Sequence, residues 1–257
     1  MTDPALVADA RVAVVTGGAS GIGPAIGRRL AEAGHPVALI DHQKDLVRLQ
    51  ADELTAQGFT AIAIGVDVTH REAVRRAIHT VRSNLGPIAI MVTSAGVDVG
   101  TPVAVADITA EQWDRLIAIN LTGTFNCIQA AVPDMQAAGW GRIVTISSSS
   151  AQSGAPERAH YVASKGGVIA LTKALAYELS PQGITANTIP PSIVDTPMAQ
   201  GGVNLGTVPP LDILATMVPV RRCGTPEDIA ATTAFLCTDD AGFITGQVIG
   251  VNGGMYI

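Results

Sequence analysis

The chain has 257 residues, 47% hydrophobic and 15% charged, with a formal net charge of −6. These values exclude a disordered chain and indicate either one large α/β domain or two small ones, with enough residues to bury a core. The acidic charge, without long runs of Lys or Arg, argues against nucleic acid and anionic membrane surfaces as partners.

The apolar runs, the amino-terminal segment and the cysteine count predict a cytoplasmic protein. No apolar run reaches the roughly 18 residues of a membrane span, and the start, MTDPALVADAR, lacks the features of a signal peptide. The three cysteines are too few for a disulfide framework, and their spacing fits no zinc motif, so we expect no metal.

Short apolar runs rich in Val and Ile alternate with helix-length segments along the chain. This pattern predicts an α/β fold, a doubly wound parallel sheet of about seven strands with helices on both faces. The predicted strands are Arg11–Thr16, Pro36–Ile40, Thr60–Val66, Ile88–Thr93, Arg142–Ser147, Ile184–Ile189 and Gln247–Val251.

Capping residues predict where several helices begin and end. Gly34 suits the end of a first helix, and Thr109 and Thr225 suit the starts of later ones, with Gln112 completing a capping box. The pair Ser180-Pro181 predicts the end of a helix that begins near His160.

The segment Pro197–Val220 is too long for an ordinary connection and is a candidate substrate lid. Asp212 is its only formal charge, and it holds several large apolar residues. An apolar lid favours a lipophilic ketone or secondary alcohol as substrate. The alternative is that these residues pack on the protein itself or on another subunit.

A glycine-rich turn follows the first predicted strand. In TGGASGIG, Gly17, Gly21 and Gly23 remove Cβ atoms where the strand turns into a helix, so backbone N–H groups and the helix start can meet a pyrophosphate. The spacing is not GxGxxG, and an ordinary tight turn is the alternative interpretation.

Two carboxylates end the next predicted strands. Asp41 can accept hydrogen bonds from the adenosine ribose and would repel a 2′-phosphate, which favours NAD over NADP, unless it merely caps the next helix. Asp67, followed by Val68, can face an adenine amino group or act as a turn residue.

The sequence YVASK places Tyr161 and Lys165 four residues apart on a predicted helix, so both side chains share one face. An ammonium beside a phenol is expected to lower the tyrosine pKa and to suit it to proton transfer. Ser148 stands at the end of the fifth predicted strand, where ligands bind in such sheets. Its neighbours Ser147, Ser149 and Ser150 are competing candidates.

These residues together resemble the short-chain dehydrogenase/reductase family over nearly the whole chain. The family's glycines match Gly17, Gly21 and Gly23, and its tyrosine and lysine match Tyr161 and Lys165. Its serine lies thirteen residues before the tyrosine, which selects Ser148. The ending ITGQVIGVNGGMYI is similar to the 3-oxoacyl-carrier-protein reductase and hydroxysteroid dehydrogenase-like branch.

The resemblance implies a single Rossmann domain over residues 1–257, with a dinucleotide-binding half at 11–100 and a catalytic half at 109–257. It implies that Tyr161 is the general acid/base, that Lys165 lowers its pKa and binds the nicotinamide ribose, and that Ser148 polarises the carbonyl. Asn120 would hold a water in a proton relay. The cofactor contacts implied are Gly17, Ser20, Gly21, Ile22, Gly23, Asp41, Asp67, Val68, Ser94, Ala95, Gly96, Tyr161, Lys165, Pro191, Val194 and Thr196.

Two departures from the family pattern touch this site. Ser94 replaces an asparagine that braces the sheet, and Pro190-Pro191-Ser192 replaces the usual Pro-Gly before the carboxamide loop. The first puts part of the sheet bracing in doubt, and the second stiffens the loop.

The expected function is NAD(H)-dependent interconversion of a secondary alcohol and a ketone on a lipophilic small molecule or an acyl-CoA. A 3-oxoacyl-[acyl-carrier-protein] reductase is the alternative, but residues 135–141 lack the Lys or Arg that an acidic carrier protein would contact. A dinucleotide-binding regulator without catalysis, or epimerisation or dehydration on the same scaffold, are further alternatives. The family also implies a homotetramer.

Overall fold

The computed structural model describes residues 10–98 and 100–257. The expectation about the amino-terminal segment falls mainly on residues 1–9, which lie outside the described residues. The described chain forms a single α/β domain built on one parallel sheet.

The described residues form six parallel strands in the order β3-β2-β1-β4-β5-β6. Because the strands run in one direction, their carboxyl ends meet at one edge of the sheet, where open α/β sheets bind ligands. The strands are β1 (Val12–Thr16), β2 (Val37–Asp41), β3 (Ala61–Gly65), β4 (Ile88–Thr93), β5 (Gly141–Ile146) and β6 (Ile184–Ile189).

Helices connect the strands and cover both faces of the sheet. A π-helical turn, Ile117–Thr122, joins α4 to α5, and short 3₁₀ turns occupy Val105–Asp107 and Ser180–Gln182. The α-helices are α1 (Ile22–Glu32), α2 (Lys44–Ala56), α3 (Arg71–Leu85), α4 (Ala110–Leu116), α5 (Gly123–Ala138), α6 (Ser150–Ser153), α7 (Ala159–Leu179), α8 (Pro197–Asn204), α9 (Leu211–Met217) and α10 (Pro226–Leu236).

Alternate strand residues build a separate core on each face of the sheet. Ala13 and Val15 of β1 pack with α1, α2 and α10, whereas Val12 and Val14 pack with α3, α5 and α7. This alternation follows from the two-residue period of a strand. It confirms the prediction of strands that are apolar on both sides.

The expected seventh strand at 247–251 is wrong, since the sheet has six strands. The segment lies beside β6, but Val248 forms only an isolated bridge with Thr188. The Asn187 side chain accepts the Gln247 N–H at 3.1 Å, a position where a strand ladder would use a backbone carbonyl. The apolar pattern predicted the position of this segment but could not show that a side chain interrupts the pairing.

The predicted helix ends are confirmed. The Thr109 and Thr225 side chains each accept the backbone N–H three residues on, and both form capping boxes. Gly34 follows α1 with φ +90°, and α7 ends at Leu179, directly before Ser180-Pro181.

One helical run, Ala110–Ala138, is long and apolar enough to cross a membrane by length and composition alone. The run consists of α4, the π turn and α5, and 44% of its most apolar window is buried inside the protein. This is weak evidence for a span, because core helices meet the same criteria.

Candidate active site

The glycine turn between β1 and α1 leaves no room for side chains. A Cβ on Gly23 would lie 2.0 Å from the Gly17 carbonyl oxygen, and one on Gly17 would lie 2.8 Å from the Ala95 nitrogen. Gly17 and Gly21, the residue that precedes α1, also have positive φ values of 72° and 67°. The turn is therefore open toward the start of α1, with Ser20 exposed and Ile22 packed against the core.

Asp41 ends β2 beside this turn and is buried. Its carboxylate accepts the Ala19 N–H at 3.2 Å and the Gln43 N–H at 2.9 Å, and it lies 3.0 Å from the His42 ring. The carboxylate thus fixes the glycine turn to the end of β2. Each oxygen has lone pairs left for another donor.

The residues after β3 and β4 complete the same edge. Asp67 is exposed and accepts the Thr69 N–H at 2.9 Å, as a turn residue does, while the Val68 carbonyl accepts from Asn126. Ala95 N–H donates to the Thr16 hydroxyl at 3.1 Å, which holds the loop after β4 against β1.

Ser94 stands where the family has an asparagine that braces the sheet, and it follows Thr93, whose hydroxyl has no partner among the described residues. Ser94 is half-buried, and the Thr93 hydroxyl is buried. The Ala95–Thr16 bond braces this part of the loop.

Four serines follow one another after β5, and their surroundings differ. Ser147 points into the sheet, where its hydroxyl accepts from Thr188 at 3.0 Å. Ser148 lies 2.8 Å from the Ser150 hydroxyl, and its hydroxyl lowers the pKa of Tyr161. Of these serines, Ser148 is therefore the one that acts on the tyrosine.

Tyr161 and Lys165 lie one turn apart on α7, as their spacing predicts. Lys165 is buried, and its ammonium donates to the Ile146 carbonyl at the end of β5 at 3.0 Å. A Cβ on Gly96 would lie 3.0 Å from the Lys165 Nζ and 3.2 Å from the Asn120 Oδ1. The loop after β4, the π turn and α7 therefore meet at this point.

The expectation that Lys165 lowers the pKa of Tyr161 is not what the structure indicates. Burial, and next the charge of Asp98, raise the pKa of Tyr161 to about 12, against smaller lowering effects of Ser148 and Arg158. Burial lowers the pKa of Lys165 to about 8. Desolvation disfavours the charged form of both groups, so it acts together with Asp98 on Tyr161 and against Asp98 on Lys165.

Asn120 lies at the centre of the π turn and is completely buried. Its Oδ1 accepts the Val97 N–H at 2.8 Å, and its Nδ2 donates to the Val97 carbonyl and to the Ser164 hydroxyl, each at 3.0 Å. The side chain thus joins the loop after β4 to α7. Its main-chain carbonyl accepts from Thr124 at 2.8 Å.

The loop after β6 approaches the glycine turn from the opposite side. The Pro191 carbonyl accepts the Ser149 N–H at 2.9 Å, and Val194 is buried and bridges Gly224. The Thr196 side chain begins α8, and a Cβ on Gly21 would lie 3.7 Å from it. The start of α8 therefore lies beside the glycine turn.

Within 197–220, α8 and α9 contain no buried residue. Five large apolar residues of the segment are half exposed or more, although Val218 after α9 is buried, which distinguishes α8 and α9 from a core helix pair. They are Met198, Leu205, Ile213, Met217 and Val220.

The sequence interpretation did not identify two charged residues near the tyrosine. Arg158, directly before α7, donates to Asp98 in the loop after β4 at 2.6 Å. Sixty positions separate them, so no local pattern could have paired them. The one feature of the sequence that could have drawn attention to Arg158 is its position three residues before Tyr161.

The residues at this edge fit a dinucleotide. The glycine turn offers backbone and a helix start without side chains, Asp41 offers a buried carboxylate, and Lys165 offers a buried ammonium. For a metal, by contrast, no cluster of three or more His, Cys, Asp or Glu side chains occurs among residues 10–98 and 100–257.

Comparisons with known proteins agree with this geometry. A family model described as enoyl-(acyl carrier protein) reductase matches residues 17–256. The 3-oxoacyl-[acyl-carrier-protein] reductase FabG of Staphylococcus epidermidis is 38% identical over 246 residues, 95% of this chain and 98% of that protein. The (2S)-[(R)-hydroxy(phenyl)methyl]succinyl-CoA dehydrogenase subunit BbsD of Thauera aromatica is 37% identical over 246 residues, 95% of this chain and 96% of that protein.

A solved structure described as ElxO with NADP bound has a TM-score of 0.87 and 27% identity, covering 96% of this chain and 99% of that chain. The chain therefore belongs to the short-chain dehydrogenase/reductase family and resembles its 3-oxoacyl-carrier-protein reductase branch. It is an oxidoreductase that acts on CH–OH groups, which argues against the regulator alternative.

Proposed function

We propose that the chain interconverts a secondary alcohol and a ketone with NAD(H), using Ser148, Tyr161, Lys165 and Asn120. The observation that supports this most is that Tyr161 and Lys165 lie one turn apart on α7, with the Lys165 ammonium held by the Ile146 carbonyl at 3.0 Å at the end of β5. When bound, the nicotinamide supplies or accepts the hydride.

Tyr161 is the general acid/base in this proposal. Its high pKa keeps the phenol protonated at neutral pH, so it can donate a proton to a ketone oxygen. In the opposite direction the phenolate must accept the alcohol proton, which alkaline pH favours. Ser148 orients and polarises the carbonyl through its hydroxyl, which also lowers the pKa of Tyr161.

Lys165 and Asn120 arrange the surroundings of the tyrosine. The ammonium of Lys165, held by the Ile146 carbonyl, is available to a ribose hydroxyl. Both Asn120 Nδ2 protons are used by Val97 and Ser164, and Oδ1 accepts the Val97 N–H, so the side chain holds the π turn against the loop after β4 and α7, where a relay water would bind.

The preference for NAD over NADP rests on Asp41. A buried carboxylate at the end of β2 would accept hydrogen bonds from the ribose hydroxyls and would repel a 2′-phosphate. ElxO has NADP bound, so this preference needs its own test. We expect Asp41→Ala to weaken NAD binding more than NADP binding in calorimetry. Equal losses, or a wild-type preference for NADP, would contradict the proposal.

The proposed substrate is a lipophilic small molecule or an acyl-CoA, enclosed by the segment 197–220. The exposed apolar residues of α8 and α9 support a surface that closes on an apolar ligand. BbsD, whose name describes a succinyl-CoA dehydrogenase, is consistent with an acyl-CoA.

The second candidate, a 3-oxoacyl-[acyl-carrier-protein] reductase, is favoured by the similarity to FabG. The two candidates differ in whether a carrier protein accelerates turnover. Comparing a 3-oxoacyl-carrier protein with the same acyl group on CoA separates them, because much faster turnover on the carrier would favour the reductase. A cytoplasmic homotetramer completes the proposal, and light scattering of the purified protein tests the tetramer.

The decisive test of the chemistry is Tyr161→Phe, assayed with NAD and a panel of steroid, alicyclic and 3-hydroxyacyl substrates while NADH is monitored. The variant keeps the ring but has no proton to transfer, so we expect intact NAD binding and turnover reduced by at least about a hundredfold. Turnover close to that of the wild type would remove Tyr161 from its role. Product analysis separates hydride transfer from epimerisation or dehydration.

A further inference from the structure

A half-buried ion pair connects the two loops that flank Tyr161. Arg158 Nη1 donates to Asp98 Oδ2 at 2.6 Å, and the side chains are 25% and 12% exposed. Asp98 lies in the loop after β4, and Arg158 is the residue before α7. The Arg158 carbonyl accepts the Val162 N–H at 2.9 Å, so this residue takes part in the first turn of the helix that holds Tyr161.

A second contact holds the same loop. The Glu157 carbonyl accepts the Val103 N–H at 2.8 Å, and Glu157 itself has a φ of +57°, a conformation that non-glycine residues rarely adopt. Two consecutive residues before α7 are therefore joined to the chain that follows β4. The Asp98–Arg158 ion pair is the charged member of these two contacts.

The pair also affects the charge balance around the tyrosine. The Asp98 carboxylate raises the pKa of Tyr161 and opposes the lowering that burial imposes on Lys165. The Arg158 guanidinium and the Ser148 hydroxyl both lower the pKa of Tyr161. The charges acting on the phenol thus come from the loop after β4 and from the start of α7, while Lys165 shares its helix face.

Resting on the function proposed above, we propose that Asp98 and Arg158 are positioning residues for Tyr161, whose ion pair fastens the start of α7 to the loop after β4 and places a carboxylate and a guanidinium around its phenol. The carboxylate favours the phenol, and the guanidinium limits that effect. Neither residue needs to touch the substrate. The pair therefore shifts the pH range in which the tyrosine donates or accepts a proton, a range that burial sets first.

The test reads the Tyr161 phenolate directly, without substrate or cofactor. The chain has three tyrosines, and the other two, Tyr177 and Tyr256, are 90% and 38% exposed. In a Tyr177→Phe/Tyr256→Phe background, the ultraviolet phenolate band therefore comes from Tyr161 alone. Circular dichroism at each pH restricts the titration to folded protein.

In that background, Asp98→Asn removes the charge and keeps a hydrogen-bond acceptor for Arg158. We expect the midpoint to fall by about one pH unit, so that the phenolate signal rises roughly fivefold at a pH one unit below the parental midpoint. Asp98→Glu should restore the parental midpoint. Arg158→Gln should raise the midpoint, and the double amide variant should lie between the single variants.

Asp134→Asn is the matched control, because Asp134 forms a similarly half-buried pair with Arg82 at 2.8 Å, away from the site. It should lower the free energy of unfolding without moving the Tyr161 midpoint. An unmoved midpoint in folded Asp98→Asn, or a lower one in Arg158→Gln, would overturn the inference. Shifted midpoints without turnover on any substrate would count against the proposed function alone.

Discussion

Removing the Asn120 side chain should destabilise the protein strongly for a single polar residue. Asn120→Ala deletes three hydrogen bonds, two with Val97 and one with Ser164, at a position with no exposed surface. At about 1 kcal/mol for each net bond, the free energy of unfolding should fall by about 3 kcal/mol. A domain of this size would lose roughly 6–12 °C in Tm.

Urea unfolding followed by circular dichroism, at one fixed protein concentration, measures this loss. Asn84→Ala is the control, because the Asn84 amide donates only to the exposed Thr80 carbonyl at 2.8 Å, and its loss should be under about 0.5 kcal/mol. If Asn120→Ala lost no more than Asn84→Ala, the bonds to Val97 and Ser164 would not hold the loop after β4 to α7, and the reasoning would fail.

Three further predictions concern the cofactor turn and two titrations. Gly23→Ala should abolish NAD binding in calorimetry, since its Cβ would lie 2.0 Å from a carbonyl oxygen of the same turn, whereas Gly166→Ala, with nothing within 4 Å, should leave binding intact. Alcohol oxidation should rise steadily toward alkaline pH, because the Tyr161 pKa of about 12 keeps the base form scarce, and a plateau near neutral pH would contradict this. Hydrogen bonds from Arg11 hold the pKa of Asp239 below its usual value. The small stabilisation by Asp239 should therefore be present above its pKa in the unfolded chain and should disappear as the pH falls through its pKa in the folded protein. Asp239→Asn should remove this pH-dependent change from acid-unfolding curves.

The strand pattern predicted most of the sheet because strands buried on both faces must be apolar throughout. Six predicted strands match the observed ones: β4 and β6 coincide with their predictions, and the other four differ by one residue at one or both ends. The segment 247–251 satisfied the same pattern, yet the Asn187 side chain takes a hydrogen bond that a ladder needs. Apolar content reports burial, whereas strand pairing depends on which group meets each backbone N–H.

In the site, the spacing of the residues predicted which side chains share a helix face, but it did not predict their pKa values. Four residues between Tyr161 and Lys165 dictate a shared helix face, so that placement was predictable. The expectation that the ammonium lowers the phenol pKa treated the pair as if it stood in water. Burial raises the pKa of Tyr161 instead, and the burial of a side chain depends on every element packed around its helix.

The alternation of strands and helices, the glycine positions of the turn after β1, and the spacing of the serine, tyrosine and lysine all follow from the sequence. Each of these depends on neighbours within about twenty residues or on steric rules of the backbone. The number of strands, the burial that raises the Tyr161 pKa, and the pairing of Asp98 with Arg158 across sixty positions follow only from the folded chain. These features depend on which distant segments meet, and hydrogen bonds and charges act over distances in space rather than along the chain.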